Sequence, residues 1–276
     1  MGLLKKVSKV FGKTSAKADD FSLRANWQNF WEEVEEVEAI YPSLADLPSM
    51  AILQEWFQRL DIQNKTVIDF GCGEGKLFPH IEYAAKILAV DWSSKALLKA
   101  RRTGMQNVDF VNVDIRDFTI EGKVDVGICL DGISPENPVD VMILLAKMMM
   151  QIRQGGHFIF VAPSFESHHM THLYPHYTHA EDVNLRKSAE IQAVSRFESP
   201  FGWLNIHPML PMKAWTQNEI IFLMRHFFDA EVLDIKKMYY PRTLADQQFP
   251  IDSKVAEDTW YWAFLIRNTQ DFTEND

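Results

Sequence analysis

Apolar residues recur along this chain in two alternating patterns. Short, nearly continuous apolar runs at 65–70, 87–91, 108–113, 124–130 and 157–162 read as strands buried on both faces. Between them, stretches 94–103 and 139–152 carry apolar residues at three- and four-residue spacing and read as helices. Strand and helix in alternation predict a parallel sheet with right-handed crossovers. Upstream, Trp27, Trp31, Val34 and Val37, then Ile52, Leu53, Trp56 and Phe57, mark two amphipathic helices over 27–41 and 49–60. Glu32, Glu33, Glu35, Glu36 and Glu38 form the solvated face of the first, with cation binding as the alternative. Downstream, Thr216-Gln217-Asn218-Glu219 has the side chains of a capping box opening a helix to about residue 228, and two β-rich stretches follow at 231–239 and 259–267.

The first strand runs into Asp69-Phe70-Gly71-Cys72-Gly73-Glu74-Gly75, and the second ends in Asp91. Gly71, Gly73 and Gly75 let backbone pass close to a ligand and permit dihedrals that a Cβ forbids. Asp91, twenty residues after Gly71, is placed to accept both hydroxyls of a ribose. A dinucleotide fingerprint requires Gly-x-Gly-x-x-Gly, and the sixth position here is Lys76. Gly-x-Gly-x-Gly preceded by Asp69 instead resembles motif I of the Rossmann-like (class I) S-adenosylmethionine (SAM) methyltransferases. The resemblance continues in order through Asp91, through Asp114 in Val111-Asn112-Val113-Asp114-Ile115, through Val124-Asp125-Val126-Gly127-Ile128-Cys129, and through the turn and strand Gln154-Gly155-Gly156-His157-Phe158-Ile159-Phe160-Val161.

That resemblance implies an α/β fold: a doubly wound, mostly parallel seven-stranded sheet ending in a C-terminal antiparallel strand pair, with an N-terminal helical leader and a cap insertion. It divides the chain into a basic amphipathic segment (1–18), the leader (19–63), a SAM-binding core (64–162), the cap insertion (163–213) and the C-terminal part of the core (214–276). It also assigns Asp69, Gly71, Cys72, Gly73 and Gly75 to the amino-acid portion of SAM, Asp91 to the ribose, and Asp114 with Ile115 to the adenine edge and one face. Trp92 either covers the other face or packs as a surface aromatic. Cys129, at the end of the fourth strand, is placed beside the cofactor. Leader helices in this family often close over the cofactor, which makes Trp27, Trp31 and Tyr41 candidate lid aromatics.

Composition narrows the partners. At 276 residues with 47% hydrophobic content, the chain suits one large α/β domain with additions. A formal net charge of -10 disfavours a long groove tracking nucleic-acid phosphates. Leu3, Leu4, Val7, Val10 and Phe11 against Lys5, Lys6, Lys9 and Lys13 describe a short basic amphipathic helix, which either touches an anionic membrane surface or packs on the protein itself. Two cysteines, Cys72 and Cys129, suit reduced thiols and a cytoplasmic protein.

SAM carries its own electrophile, so the protein must position a nucleophile and remove its proton where needed. After the fourth strand this chain reads Asp131-Gly132-Ile133-Ser134 and lacks the Asn/Asp-Pro-Pro-Tyr/Phe stretch that marks relatives acting on base amines or glutamine. Asp131 is therefore a candidate to orient or deprotonate substrate, or it belongs to a simple Asp-Gly turn. His169, His172 and His176, with His168 and His179, crowd the start of the insertion. A surface loop, a general base or substrate ligand, and a metal site all remain open for them, and no cysteine accompanies them. An aspartate's ordinary pKa matches deprotonation of a hydroxyl poorly, which favours a histidine as the base. The expected activity is methyl transfer to an oxygen or nitrogen of a small molecule, with SAM as cofactor. A protein substrate, or a non-catalytic subunit that binds SAM or its demethylated product, is the alternative.

Overall fold

The computed structural model describes residues 43–133, 137–170, 181–184, 187, 197–199, 203–207, 210–240 and 259–272. The basic N-terminal segment, the helix expected over 27–41 with Trp27, Trp31 and Tyr41, and the connection 241–258 lie outside them.

The strands are β1 (Thr66–Phe70), β2 (Lys86–Asp91), β3 (Val108–Asn112), β4 (Val124–Leu130), β5 (Ile152–Pro163), β6 (Phe197–Ser199), β7 (Trp203–His207), β8 (Leu210–Lys213), β9 (Glu231–Tyr239) and β10 (Trp260–Arg267). Seven of them form one sheet in the order β3-β2-β1-β4-β5-β10-β9. β1 to β5 run parallel, and β10 is antiparallel to both β5 and β9. The helices are α1 (Ala51–Arg59), α2 (Phe78–Ile81), α3 (Ser94–Ala100), α4 (Pro138–Met150) and α5 (Gln217–His226). This is the expected doubly wound sheet with its C-terminal antiparallel pair.

Both faces of the sheet are covered, which is why its strands read as continuous apolar runs. Alternate residues point opposite ways: Ile68, Phe70, Phe158 and Phe160 pack with Met149, Trp215 and Met224 on one side. Val67, Ile159 and Val161 pack with Trp56, Phe57 and Phe78 on the other. The second leader helix forms as a 3-10 turn, Pro48–Met50, followed by α1, and Trp56 Nε1 donates to Asp234 of β9 at 3.1 Å.

Several boundaries differ from the sequence expectation. β5 begins at Ile152 rather than 157, because the Gln154-Gly155-Gly156 turn is absorbed as a bulge: Gly155 takes φ +72° and the β4–β5 register shifts there. It also runs on to Pro163, which pairs with Tyr261. The helix expected over 94–103 yields to a 3-10 turn, Arg101–Thr103, closed by Gly104 at φ +69°. Thr216 caps α5 by accepting from Glu219 N at 3.0 Å, but the Glu219 carboxylate goes to Lys213 at 2.8 Å instead of back to Thr216, so half of the capping box forms.

The insertion leaves and re-enters the core at one place. Ser164 and Trp215 form a parallel bridge, Trp215 N donates to Pro163 O at 2.8 Å, and Phe165 N donates to Trp215 O at 2.9 Å. Between these points the described residues include a small antiparallel sheet, β6-β7-β8. No helix among the described residues is long and apolar enough to cross a membrane.

Candidate active site

The carboxyl ends of β1, β2 and β4 gather the polar residues of the core. At the end of β1 the chain cannot continue as strand, because Gly71, Gly73 and Gly75 take φ +72°, +51° and +78°. Gly71 N and Cys72 N both donate to Val90 O, at 2.8 and 3.1 Å, which ties the turn to β2. A Cβ on Gly71 would stand 2.6 Å from the Cα and O of Gly132, and one on Gly132 would stand 2.4 Å from Phe70 O. The turn after β1 and the loop after β4 therefore interlock glycine on glycine. Gly132 was legible only as half of an Asp-Gly turn; its packing role leaves no mark in one sequence.

Asp91 closes the turn from the β2 side. One carboxylate oxygen accepts from Gly73 N at 2.9 Å and the other from Ser93 N at 2.8 Å. A carboxylate has about four lone-pair sites, so these amides leave capacity for a ligand's hydroxyl. Burial raises the Asp91 pKa, while the amides of Ser93, Gly73 and Trp92 act to lower it. Asn112, which sequence reasoning passed over, donates to Asp91 O at 3.0 Å and Trp92 O at 2.8 Å and so braces the same corner from β3. Glu74 meets Lys99 of α3 at 2.5 Å and fixes the outer side of the turn.

Asp69, 3% exposed at the end of β1, has no ion-pair partner among the described residues. Burial, with the nearby Asp91 charge, pushes its pKa up to about 8. Burial likewise raises the thiols of Cys72 and Cys129. Cys129 is fully enclosed in the core, so it supports the loop from below and presents no surface to a ligand. That corrects its expected place beside a cofactor. Trp92 is half-buried and Ile115 buried. Asp114 lies just beyond β3 with its carboxylate forked by Arg116, from Nε at 3.1 Å and from a terminal guanidinium nitrogen at 2.9 Å.

Asp131 stands just past β4 in a left-handed conformation, φ +53°, held by its N–H to Val161 O at 2.9 Å. Tyr261 of β10 donates its hydroxyl to Asp131 Oδ2 at 3.2 Å, and Tyr240 packs on that phenol with ring centroids 5.1 Å apart. Burial pushes the Asp131 pKa up to about 7, and the Tyr261 hydrogen bond acts against it. That value lies closer to neutrality than an aspartate's ordinary one. Tyr261 was hidden in an apolar strand, where nothing in the pattern singles out a phenol.

Two of the clustered histidines fall within the described residues. His169 is exposed on residues 165–170 and stacks on Phe165, with centroids 6.2 Å apart. His168 is half-buried in the same turn, while His172, His176 and His179 lie outside the described residues. No group of His, Cys, Asp and Glu among the described residues could hold a metal ion. Glu166 orders this segment by accepting from Trp262 Nε1 at 2.8 Å and Gln217 N at 3.1 Å.

Residues 67–156 match the family model described as "Methyltransferase domain". A methyltransferase-like protein of Invertebrate iridescent virus 6 is 29% identical over 149 residues, 51% of this chain and 51% of its own. The ribosomal protein L11 methyltransferase of Vibrio cholerae is 38% identical over 87 residues, 28% of this chain and 30% of its own. The chain thus spans about half of the length of the first of these curated relatives and under a third of the second. In fold it is similar to the Burkholderia thailandensis 1,6-didemethyltoxoflavin-N1-methyltransferase, solved with that substrate and S-adenosylhomocysteine. The TM-score is 0.57 at 17% identity, over 93% of this chain and 92% of the other.

Proposed function

We propose that this chain, whose core is a class I SAM-dependent methyltransferase domain, transfers a methyl group from SAM to an oxygen or nitrogen of a small molecule. The observation that carries this reading is the Asp91 carboxylate joined to the glycine-rich turn at Gly73, with Asp131 at the same sheet edge. The residues fit the cofactor. Gly71 and Gly132 lock the turn after β1 against the loop after β4, and Asp69, Asp91 and Asp131 form no ion pair among the described residues. Such a set suits a ligand bearing an ammonium and a sulfonium.

When bound, SAM supplies an electrophilic methyl on a positively charged sulfur. Asp91 and the amides of the turn would hold its ribose and amino-acid portions, and Ile115 and Trp92 would lie beside its adenine. Arg116 keeps the Asp114 carboxylate in place toward the adenine edge. Asp131 takes the proton from the acceptor atom: with a pKa of about 7 it is part ionised at neutral pH and able to accept one. On this reading the base sits in the β4 loop, with a histidine of the insertion as the alternative. The segment that leaves the core at Ser164 and returns at Trp215 is our candidate for the cover over a small acceptor. Both cysteines are free, which supports a cytoplasmic setting.

The test is to incubate the purified chain with methyl-labelled SAM and a fractionated small-molecule extract, and to find the labelled product by mass spectrometry. A small molecule carrying the label supports the reading. Label on protein alone would favour a protein substrate instead, and absence of SAM binding would remove both.

A further inference from the structure

Asp69, Asp91 and Asp131 end or follow three adjacent strands, β1, β2 and β4, at one edge of the sheet. Asp69 lies within electrostatic reach of Asp91, and the buried Cys129 thiol lies within reach of both Asp69 and Asp131. None of the three has a Lys, Arg or His at ion-pair distance among the described residues, whereas Glu74 and Asp114 around them are matched by Lys99 and Arg116. The inner acids are left for a ligand's charge to meet. They differ in what else holds them. Asp91 is engaged by two backbone amides, and Asp69 sits at the foot of the glycine turn. Among the described residues Asp131 accepts from one side chain, the Tyr261 phenol, at Oδ2.

SAM and its demethylated product, S-adenosylhomocysteine, share the adenine, the ribose and the amino acid. They differ only at sulfur, a sulfonium cation in one and an uncharged thioether in the other. Contacts to the shared parts cannot separate them; a charge near the sulfur can. We propose that Asp131 makes this site select the sulfonium of SAM over the thioether of the product, so that loss of the methyl loosens the product's hold. The inference rests on the methyl-transfer reading above and deepens it.

Its pH dependence follows from the groups facing Asp131: the Tyr261 phenol, with Tyr240 packed on it, and the Cys129 thiol, which Asp69 also reaches. Protonated Asp131 cannot tell the two ligands apart by charge, and ionised Asp131 can. An opposite charge within a few ångströms shifts a carboxylate by about one unit or more, and linkage converts one unit into a tenfold difference in affinity.

Calorimetric titration of SAM and of S-adenosylhomocysteine, from about pH 6 to about pH 8, tests this. The ratio of product Kd to SAM Kd is expected to rise by about tenfold or more across that range in the native chain. In Asp131→Asn the ratio should stay flat, with product affinity close to native. Tyr261→Phe removes a donor to the charged form, so the rise should move to higher pH, a readout that holds even if Asp131→Asn folds poorly. A ratio independent of pH in the native chain, or a rise that persists in Asp131→Asn, would overturn the proposal. Binding of neither ligand at any pH is a separate result, and it defeats the methyl-transfer reading on which the proposal stands.

Discussion

Asp91 and Asp131 stand on either side of β1 at the same sheet edge, and the chain holds them by opposite means. Asp91 is met by two rigid backbone donors, Gly73 N and Ser93 N, within a corner braced by Asn112. Among the described residues Asp131 is met by a single side-chain donor, Tyr261, on a strand that arrives 130 residues later in sequence. Amides fixed by a turn hold a carboxylate in place and favour its charge. A lone phenol in an apolar setting leaves an acid poised to change charge near pH 7. The first arrangement suits holding a ligand and the second suits moving a proton, although both belong to one edge.

The comparison breaks most severely where the two loops touch. Gly71→Ala forces a side chain at φ +72° against the Gly132 backbone at 2.6 Å, and should cost about 2 to 5 kcal/mol of stability, read from denaturant unfolding. Gly132→Ala meets Phe70 O without a positive φ of its own and should cost about 1 to 3 kcal/mol by the same measurement. If both variants unfold as the native chain does, the interlock is not what positions the two acids.

Asp69 and Asp131 both have folded pKa values above the ordinary carboxylate range, so the folded state holds protons that the unfolded state has released. Stability should therefore fall as pH rises through the window between their ordinary values and about 7 to 8. His157, lowered to about 4 by burial and by Lys65, Arg267, Arg153 and Arg59, acts in the opposite direction only below its ordinary value. From about pH 6.5 upward the acids decide, and the melting temperature without ligand should drop by a few degrees toward pH 8. A melting temperature that stays level or climbs would mean that these carboxyls are not held as described. The smallest effect should come from Tyr261→Phe. Losing that donor raises the Asp131 pKa further, so the rising limb of turnover against pH should move up by less than about one unit.

The core was largely legible in the sequence, because buried parallel strands write themselves as apolar runs and a glycine turn has few alternatives. β4 and β9 fall on their expected ranges, and Asp69, Gly71, Gly73 and Asp91 meet at one edge as their spacing implied. What was not legible depends on contacts between distant segments. Tyr261 reaches Asp131 only because β10 enters the sheet antiparallel to β5, and Gly132 matters only because Gly71 lies against it. The preference for a histidine base rests on an aspartate's ordinary pKa, whereas the surroundings of Asp131 raise its own to about 7. Cys129, assigned to the cofactor by its place in the strand, proved to face the core.

The claim that the glycine turn and Asp91 form a SAM site is tested most directly by calorimetric titration of SAM into the native chain and Asp91→Ala. Loss of an acceptor held in a buried corner should cost about 1.5 to 3 kcal/mol, a fall in affinity of roughly one to two orders of magnitude, with cooperative melting retained. Undiminished SAM affinity in Asp91→Ala would contradict the account.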